Sequence, residues 1–275
     1  MDTLREQAFA ADEADDLPRA FELFGKLAET DTDGIPSLRY GVVAMELAKW
    51  DVAESALTNA SRLLPRASVV TAFLGTLWAK RTDREETHSL QTAKHWYLKS
   101  LERKRSANSL TLLGVVCVRL DEIPEAKAAF EEAILIDPRH DEAMYNLAVL
   151  EEEVDPERCV ELLRRAVEID PDYAIAHQLL GVALQRQGNR DIAEQHFRKC
   201  LEIDPDDYFS NLYLANLLGV LRRNDEAEQV YRHAIELETE LDGGFKFFAN
   251  FLDAIGKSDE ASEVRSRAAK ISSPD

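Results

Sequence analysis

A three-residue phrase recurs in this chain at a nearly fixed interval. Ile136-Asp137-Pro138, Ile169-Asp170-Pro171 and Ile203-Asp204-Pro205 set their prolines 33 and then 34 residues apart. Between the last two lie two amphipathic segments joined at Gln187-Gly188-Asn189. A period of this size signals a stacked array, in which each unit buries its apolar face only against its neighbours, and not one globular core. Carried both ways, the register divides the chain into blocks 1–33, 34–67, 68–106, 107–140, 141–173, 174–207, 208–241 and 242–275. These blocks tile all 275 residues, which predicts a single array over residues 1–275 with none left for a second domain.

The pattern within a block explains the period. The eighth residue is small throughout: Ala8, Gly41, Gly75, Gly114, Ala148, Gly181, Ala215 and Ala249. A second small residue follows near the twentieth place, as Ala20, Ala53, Ala126, Cys159, Ala193, Ala227 and Ala261, with Ala93 matching once an insertion is allowed. Two antiparallel helices approach closely only where side chains are short, so small residues recur at the crossing. One turn further along the second helix comes a large apolar residue: Phe24, Leu57, Tyr97, Phe130, Leu163, Phe197 or Tyr231. Proline then stops the helix and turns the chain into the next block.

These residues resemble the tetratricopeptide repeat family. The resemblance rests on His177-x-x-Leu180-Gly181-x-x-Leu184 with Ala193-x-x-x-Phe197 and Pro205, and on Leu110-x-x-Leu113-Gly114-x-x-Cys117 with Ala126-x-x-x-Phe130 and Pro138. It extends over essentially the whole chain. Thr32, Arg105 and Thr239 depart from it at the closing proline, and Arg265 at the large apolar place of the last block. A charge there suits the solvated end of an array. The resemblance implies an all-α fold, an α-solenoid of eight tandem helix-turn-helix repeats wound as a right-handed superhelix.

Composition narrows the function. The formal net charge is −19, a surface that repels phosphate backbones and anionic membranes and so disfavours both as partners. No apolar stretch is long enough for a membrane span, and Met1 to Glu6 lacks the basic start and apolar core of a secretory signal, so the expected location is cytoplasmic. The three cysteines, Cys117, Cys159 and Cys200, fall at packing positions and suggest neither disulfide nor metal. The six histidines are scattered, and His177 and His196 fall where other blocks pack. No metal-ligand spacing, phosphate-cradling loop or nucleophile elbow is present, so the reading is a non-enzymatic protein without cofactor or metal.

Two blocks break the rule. Between Trp78 and Ala93 the third block has about five residues more than the period needs. Arg81 to Glu86 therefore forms a longer loop or extends a helix. The same block concentrates positive charge, and Lys94, Lys99, Arg103 and Lys104 form a possible basic docking patch for an acidic segment, or a solvated face at a helix C-terminus. The last block carries Phe245, Phe247, Phe248 and Phe251, an aromatic cluster expected in the core.

The family resemblance also implies a concave face lined by the first helix of each block, where relatives bind peptides or partner proteins. In that register the lining includes Leu38, Val42 and Met45, then Val115 and Val118, then Tyr145, Val149 and Glu152. Ile175, Gln178, Val182, Phe209, Leu212 and Asn216 continue it. Many of these are apolar where an exposed helix should be polar, which marks an interaction surface. The two-carboxylate clamp of chaperone-binding relatives is incomplete: Lys246 and Asn250 have its first spacing but lie in the final block. The expected function is a scaffold or adaptor binding a peptide or protein partner. The alternative is a substrate-recognition or regulatory array serving a separate enzyme or assembly machinery. Self-association through the terminal repeats is a third possibility.

Overall fold

A computed structural model describes residues 2–237 and 242–272. Over these the chain is all-α, sixteen helices without a strand. Thr239 lies outside the described residues.

The helices fall into two compact units, residues 1–146 and 147–275. The first holds α1 (Asp2–Glu13), α2 (Leu17–Ala28), α3 (Ile35–Glu46), α4 (Trp50–Leu63), α5 (Ser68–Lys80), α6 (Glu86–Arg103), α7 (Ala107–Arg119) and α8 (Ile123–Ile136). The boundary falls inside α9 (Asp141–Glu151). The second unit holds α10 (Pro156–Ile169), α11 (Ala174–Arg186), α12 (Arg190–Ile203), α13 (Tyr208–Val220), α14 (Asn224–Leu237), α15 (Asp242–Ala254) and α16 (Ser258–Ser272). In the first unit α1 packs on α2, α3 on α4, α5 on α6 and α7 on α8, and α2, α4 and α6 also pack on the first helix of the next pair. The second unit repeats this with α11 and α12, α13 and α14, and α15 and α16.

The small-and-large pairing is what closes each hairpin. A Cβ placed at Gly41 would stand 2.6 Å from Leu57, at Gly75 2.7 Å from Tyr97, at Gly114 2.5 Å from Phe130, and at Gly181 2.5 Å from Phe197. The first helix thus lays bare backbone against the buried side chain of the second. Phe24, Leu57, Phe130, Leu163 and Phe197 have no exposed surface. Phe24 packs with Ala8, Ala11 and Ala20, and Leu57 with Ala44 and Ala53, small residues that let the helices close. At the last hairpin Arg265 takes this place, remains exposed, and pairs with Asp253.

The turn inside the hairpins has its own rule. Asp15, Ala48, Asp121, Gly188, Arg222 and Gly256 all have left-handed backbone, with φ from 53° to 86°. The residue after each donates its N–H back to a carbonyl five residues earlier, as Lys49 to Ala44 at 2.8 Å and Asn189 to Leu184 at 2.9 Å. This satisfies the last carbonyls of the first helix. Three second helices then start with proline in their first turn, at Pro18, Pro124 and Pro156, the last behind the cap Asp155, which accepts from the Arg158 N–H at 3.0 Å.

The third hairpin absorbs its extra residues in two places. Its second helix, α6, has 18 residues where α8, α10 and α12 have 14, and its linker covers residues 81–85 where that before α8 covers 120–122. Both expected solutions are used. Arg81 holds this longer linker: its guanidinium, fully buried, pairs with Asp51, with Glu54 at 2.8 Å and with Asp83 at 2.6 Å, and lies 5.0 Å from the Trp78 ring. The short range of its partners holds the guanidinium well above the ordinary arginine range.

Candidate functional site

In the second unit the first helices α11, α13 and α15 carry an unusual share of exposed apolar surface. Ile175, Phe209, Tyr213 and Phe247 are all exposed, Phe209 at 52% and Phe247 at 53%. Side chains of this size cost roughly 2–3 kcal/mol to leave in water relative to burial. Phe209, Tyr213 and Phe247 line a recess of about 440 Å³, formed with Tyr208, Leu212 and Asn216 from α13 and Asp242, Gly243 and Gly244 from α15. Its end is fixed by the Gly244 N–H donating to the Tyr208 hydroxyl at 2.9 Å, an approach that a Cβ on Gly244 would block at 2.5 Å. A second recess of about 330 Å³ lies between α11 and α13, bounded by Val182, Gln185, Arg186, Tyr213 and Asn216. The two share Tyr213 and Asn216, so one continuous surface runs over three first helices.

Of the residues expected from the family register, the structure brings Val182, Phe209, Leu212 and Asn216 to this surface. Gln178 does different work: its side chain donates to Asp207 at 2.7 Å and to Ser210 at 3.0 Å, bracing α11 on the start of α13. Glu152 is half-buried and paired with Arg186 at 2.8 Å, while Val149 is exposed. In the first unit Leu38, Val42, Val115 and Tyr145 are half-buried and Val118 is exposed. Met45 is buried among Ala44, Ala53, Leu57 and Leu74, so its side chain belongs to the core. Tyr213 and Phe247 were missed by the register. Phe247 was expected in the core with its neighbours; Phe245, Phe248 and Phe251 are buried there, and Phe247 points away. Its position two after Phe245 and one before Phe248 puts it off their helix face, which is the signal that was available.

The basic cluster of α6 is largely committed within the chain. Lys94 pairs with Glu122, and Lys99 lies 4.8 Å from the Trp96 ring. Arg103 donates to the Ala67 carbonyl at 3.4 Å and to Thr71 at 3.3 Å. Lys104 is exposed at the end of α6.

The interior histidines and cysteines are held neutral by burial. His177 is buried; its Nε2 meets the Pro171 carbonyl at 3.1 Å, so it carries a proton there, and its Nδ1 accepts from Nδ1 of His196 at 2.9 Å. Burial holds both imidazoles below the ordinary histidine value, His196 down to about 4. Burial likewise pushes the Cys117 and Cys159 thiols up to about 11 and raises that of Cys200. Among the described residues no group of three or more His, Cys, Asp or Glu side chains is placed to hold a metal ion, and no helix is long and apolar enough to cross a membrane.

Two family models match the sequence, both described as tetratricopeptide repeat, over residues 112–174 and 174–207. No curated protein matches the chain in sequence. Among solved structures, PilF of Pseudomonas aeruginosa superposes with a TM-score of 0.65 at 20% identity, covering 75% of this chain and 92% of its own. MamA from Desulfovibrio magneticus RS-1 gives 0.56 at 14% identity, over 60% of this chain and 94% of its own. YrrB, described as a TPR protein with an unusual peptide-binding site, gives 0.50 at 21%, over 68% and 95%. Residues 112–207 thus match tetratricopeptide repeat models, and the helical hairpins and glycine crossings on the rest of the chain have the same form.

Proposed function

We propose that this protein is an interaction scaffold that takes a peptide, or an extended segment of a partner protein, on the first-helix face of α11, α13 and α15. The observation that carries this reading is the exposure of Phe209, Tyr213 and Phe247 around one apolar recess. Contiguous apolar surface of this kind is rare on a chain otherwise so charged, and it marks interaction sites. Asn216, exposed where the recesses meet, supplies an amide that can pair with the backbone of an extended segment. The partner's anchor is therefore a large apolar side chain seated between Phe209 and Phe247.

The test is a paired substitution, Phe209→Ser with Phe247→Ser, made in the full chain. Both side chains are exposed, so helicity and melting temperature should hold. Partners recovered with the natural chain should be depleted from the variant about tenfold or more, the loss of one anchor residue. Full recovery of every partner by a folded variant would reject the site.

A further inference from the structure

A second surface lies on the opposite kind of helix, in the first unit. The residue that follows the large apolar one of each hairpin is Thr58, Leu98, Glu131, Arg164, Arg198 or Arg232 in the middle of the chain, but Gly25 in the first. The later arginines span the gap to the next second helix. Arg198 on α12 donates to Glu226 on α14 at 3.3 Å, and Arg232 on α14 to Glu260 on α16 at 2.7 Å. Among the described residues no ion pair crosses from α2 to α4. Where the bridge would lie, a cleft of about 710 Å³ opens instead. Its floor is the Tyr40 ring, which lies 3.3 Å from where a Cβ on Gly25 would stand.

The walls of the cleft are apolar and its rim is acidic. Phe21 and Val52 face Tyr40, and the Phe21 and Tyr40 rings are 4.9 Å apart. Around them stand three carboxylates, Glu22, Glu29 and Asp51, against two ammoniums, Lys26 and, at one edge, Lys49. Lys26 is already paired with Glu22 at 2.6 Å, and Asp51 with Arg81, whereas Glu29 is exposed with no ion pair among the described residues. Glu29 and Tyr40 both line the cleft, and burial, then the Glu29 charge, raises the Tyr40 hydroxyl above the ordinary tyrosine value. One edge shows how a cation sits here: the Lys49 ammonium lies 3.5 Å from the Phe21 ring centroid.

We propose that the α2–α4 cleft is a second docking site, and that it takes an arginine- or lysine-bearing segment of a partner protein. The alkyl stem of the basic residue lies on Phe21, Tyr40 and Val52, and its cation meets Glu29. Gly25 is then the residue that keeps the seat open, where the hairpins of Arg198 and Arg232 span the gap with their own arginine.

The probe is a short capped peptide alternating leucine and arginine, with its leucine–glutamate counterpart as control. The readout is the fluorine spectrum of the full chain carrying 3-fluorotyrosine, with the Tyr40 signal assigned through Tyr40→Phe. The arginine peptide should move the Tyr40 signal saturably, and added salt should weaken the effect. Gly25→Arg, which fills the cleft, and Glu29→Lys, which reverses the rim charge, should each weaken it about tenfold or more. Phe209→Ser with Phe247→Ser should leave it unchanged, which separates this site from the first-helix face. A Tyr40 signal that does not move, that moves equally with the glutamate peptide, or that moves in both variants as it does in the natural chain overturns the proposal. So does light scattering in which Gly25→Arg abolishes self-association while the peptide leaves Tyr40 unmoved, because the cleft would then belong to a second copy of the chain.

Discussion

Gly181 lies directly against the ring of Phe197: a Cβ at residue 181 would stand 2.5 Å from a ring carbon. The same relation holds between Gly114 and Phe130. Both rings are fully buried, so neither can swing aside. Gly181→Ala should therefore cost about 1–3 kcal/mol by overpacking, outweighing the ~1 kcal/mol that alanine gains over glycine in a helix. Phe197→Ala should cost about 3–5 kcal/mol through the cavity it leaves. If the crossing accounts for the penalty, adding Phe197→Leu to Gly181→Ala recovers part of the lost stability, as read by chemical denaturation.

The left-handed turn residues give a change of opposite sign. Ala48 has φ 53° and Arg222 φ 59°, a conformation that costs a residue with a Cβ about 1–2 kcal/mol. Ala48→Gly should raise stability by roughly 0.5–1 kcal/mol once the added freedom of the unfolded chain is subtracted. Gly188→Ala, at φ 81° with open space around it, should lower stability by about 1 kcal/mol. Melting temperatures of the two variants moving in the same direction would contradict this.

Arg81 holds the long third linker through Asp51, Glu54 and Asp83. Its three partners keep part of their surface in water, so they are not stranded when the cation is removed. Arg81→Ala is expected to cost about 1–3 kcal/mol, below the range for a fully enclosed pair. Hydrogen exchange should show faster opening in residues 81–90 while α11 to α14 are unaffected.

The histidine pair makes stability depend on pH. Burial lowers both folded-state values, so the unfolded chain takes up protons first. The contribution is complete above the ordinary histidine value of 6.5 and is lost as pH falls toward about 4. Arg164 and Lys199 add to the lowering, while Asp170 and Asp172 oppose it at His177. Melting temperature should fall across that window, and His196→Gln should flatten the fall. An equal slope in the variant would assign the acid sensitivity to the carboxylates.

Much of this architecture could be read from residue types because its causes are local. Small residues at the eighth place and large ones on the second helix announce the crossing at Gly114 and Phe130 without coordinates. The turns were less legible. Gly188 signals a left-handed residue, but Asp15, Ala48 and Arg222 adopt the same φ because the paired helices impose it, and propensity does not reveal that. Arg81 falls in the expected longer segment, but nothing local says that Asp51 and Glu54, some thirty residues earlier, enclose it. Phe247 was read as core because phenylalanine is usually core. Its exposure follows from the helix face it occupies, and it is now the centre of the proposed site.

The most direct measurement is site-specific photocrosslinking in cells. A benzoylphenylalanine would replace Phe247 on the first-helix face, or Gln229, which is exposed on α14. Discrete partner adducts should form from position 247, disappear when Phe209→Ser is added, and be absent from position 229. Adducts that form equally from both positions, or only from 229, would contradict a partner seated against α13 and α15.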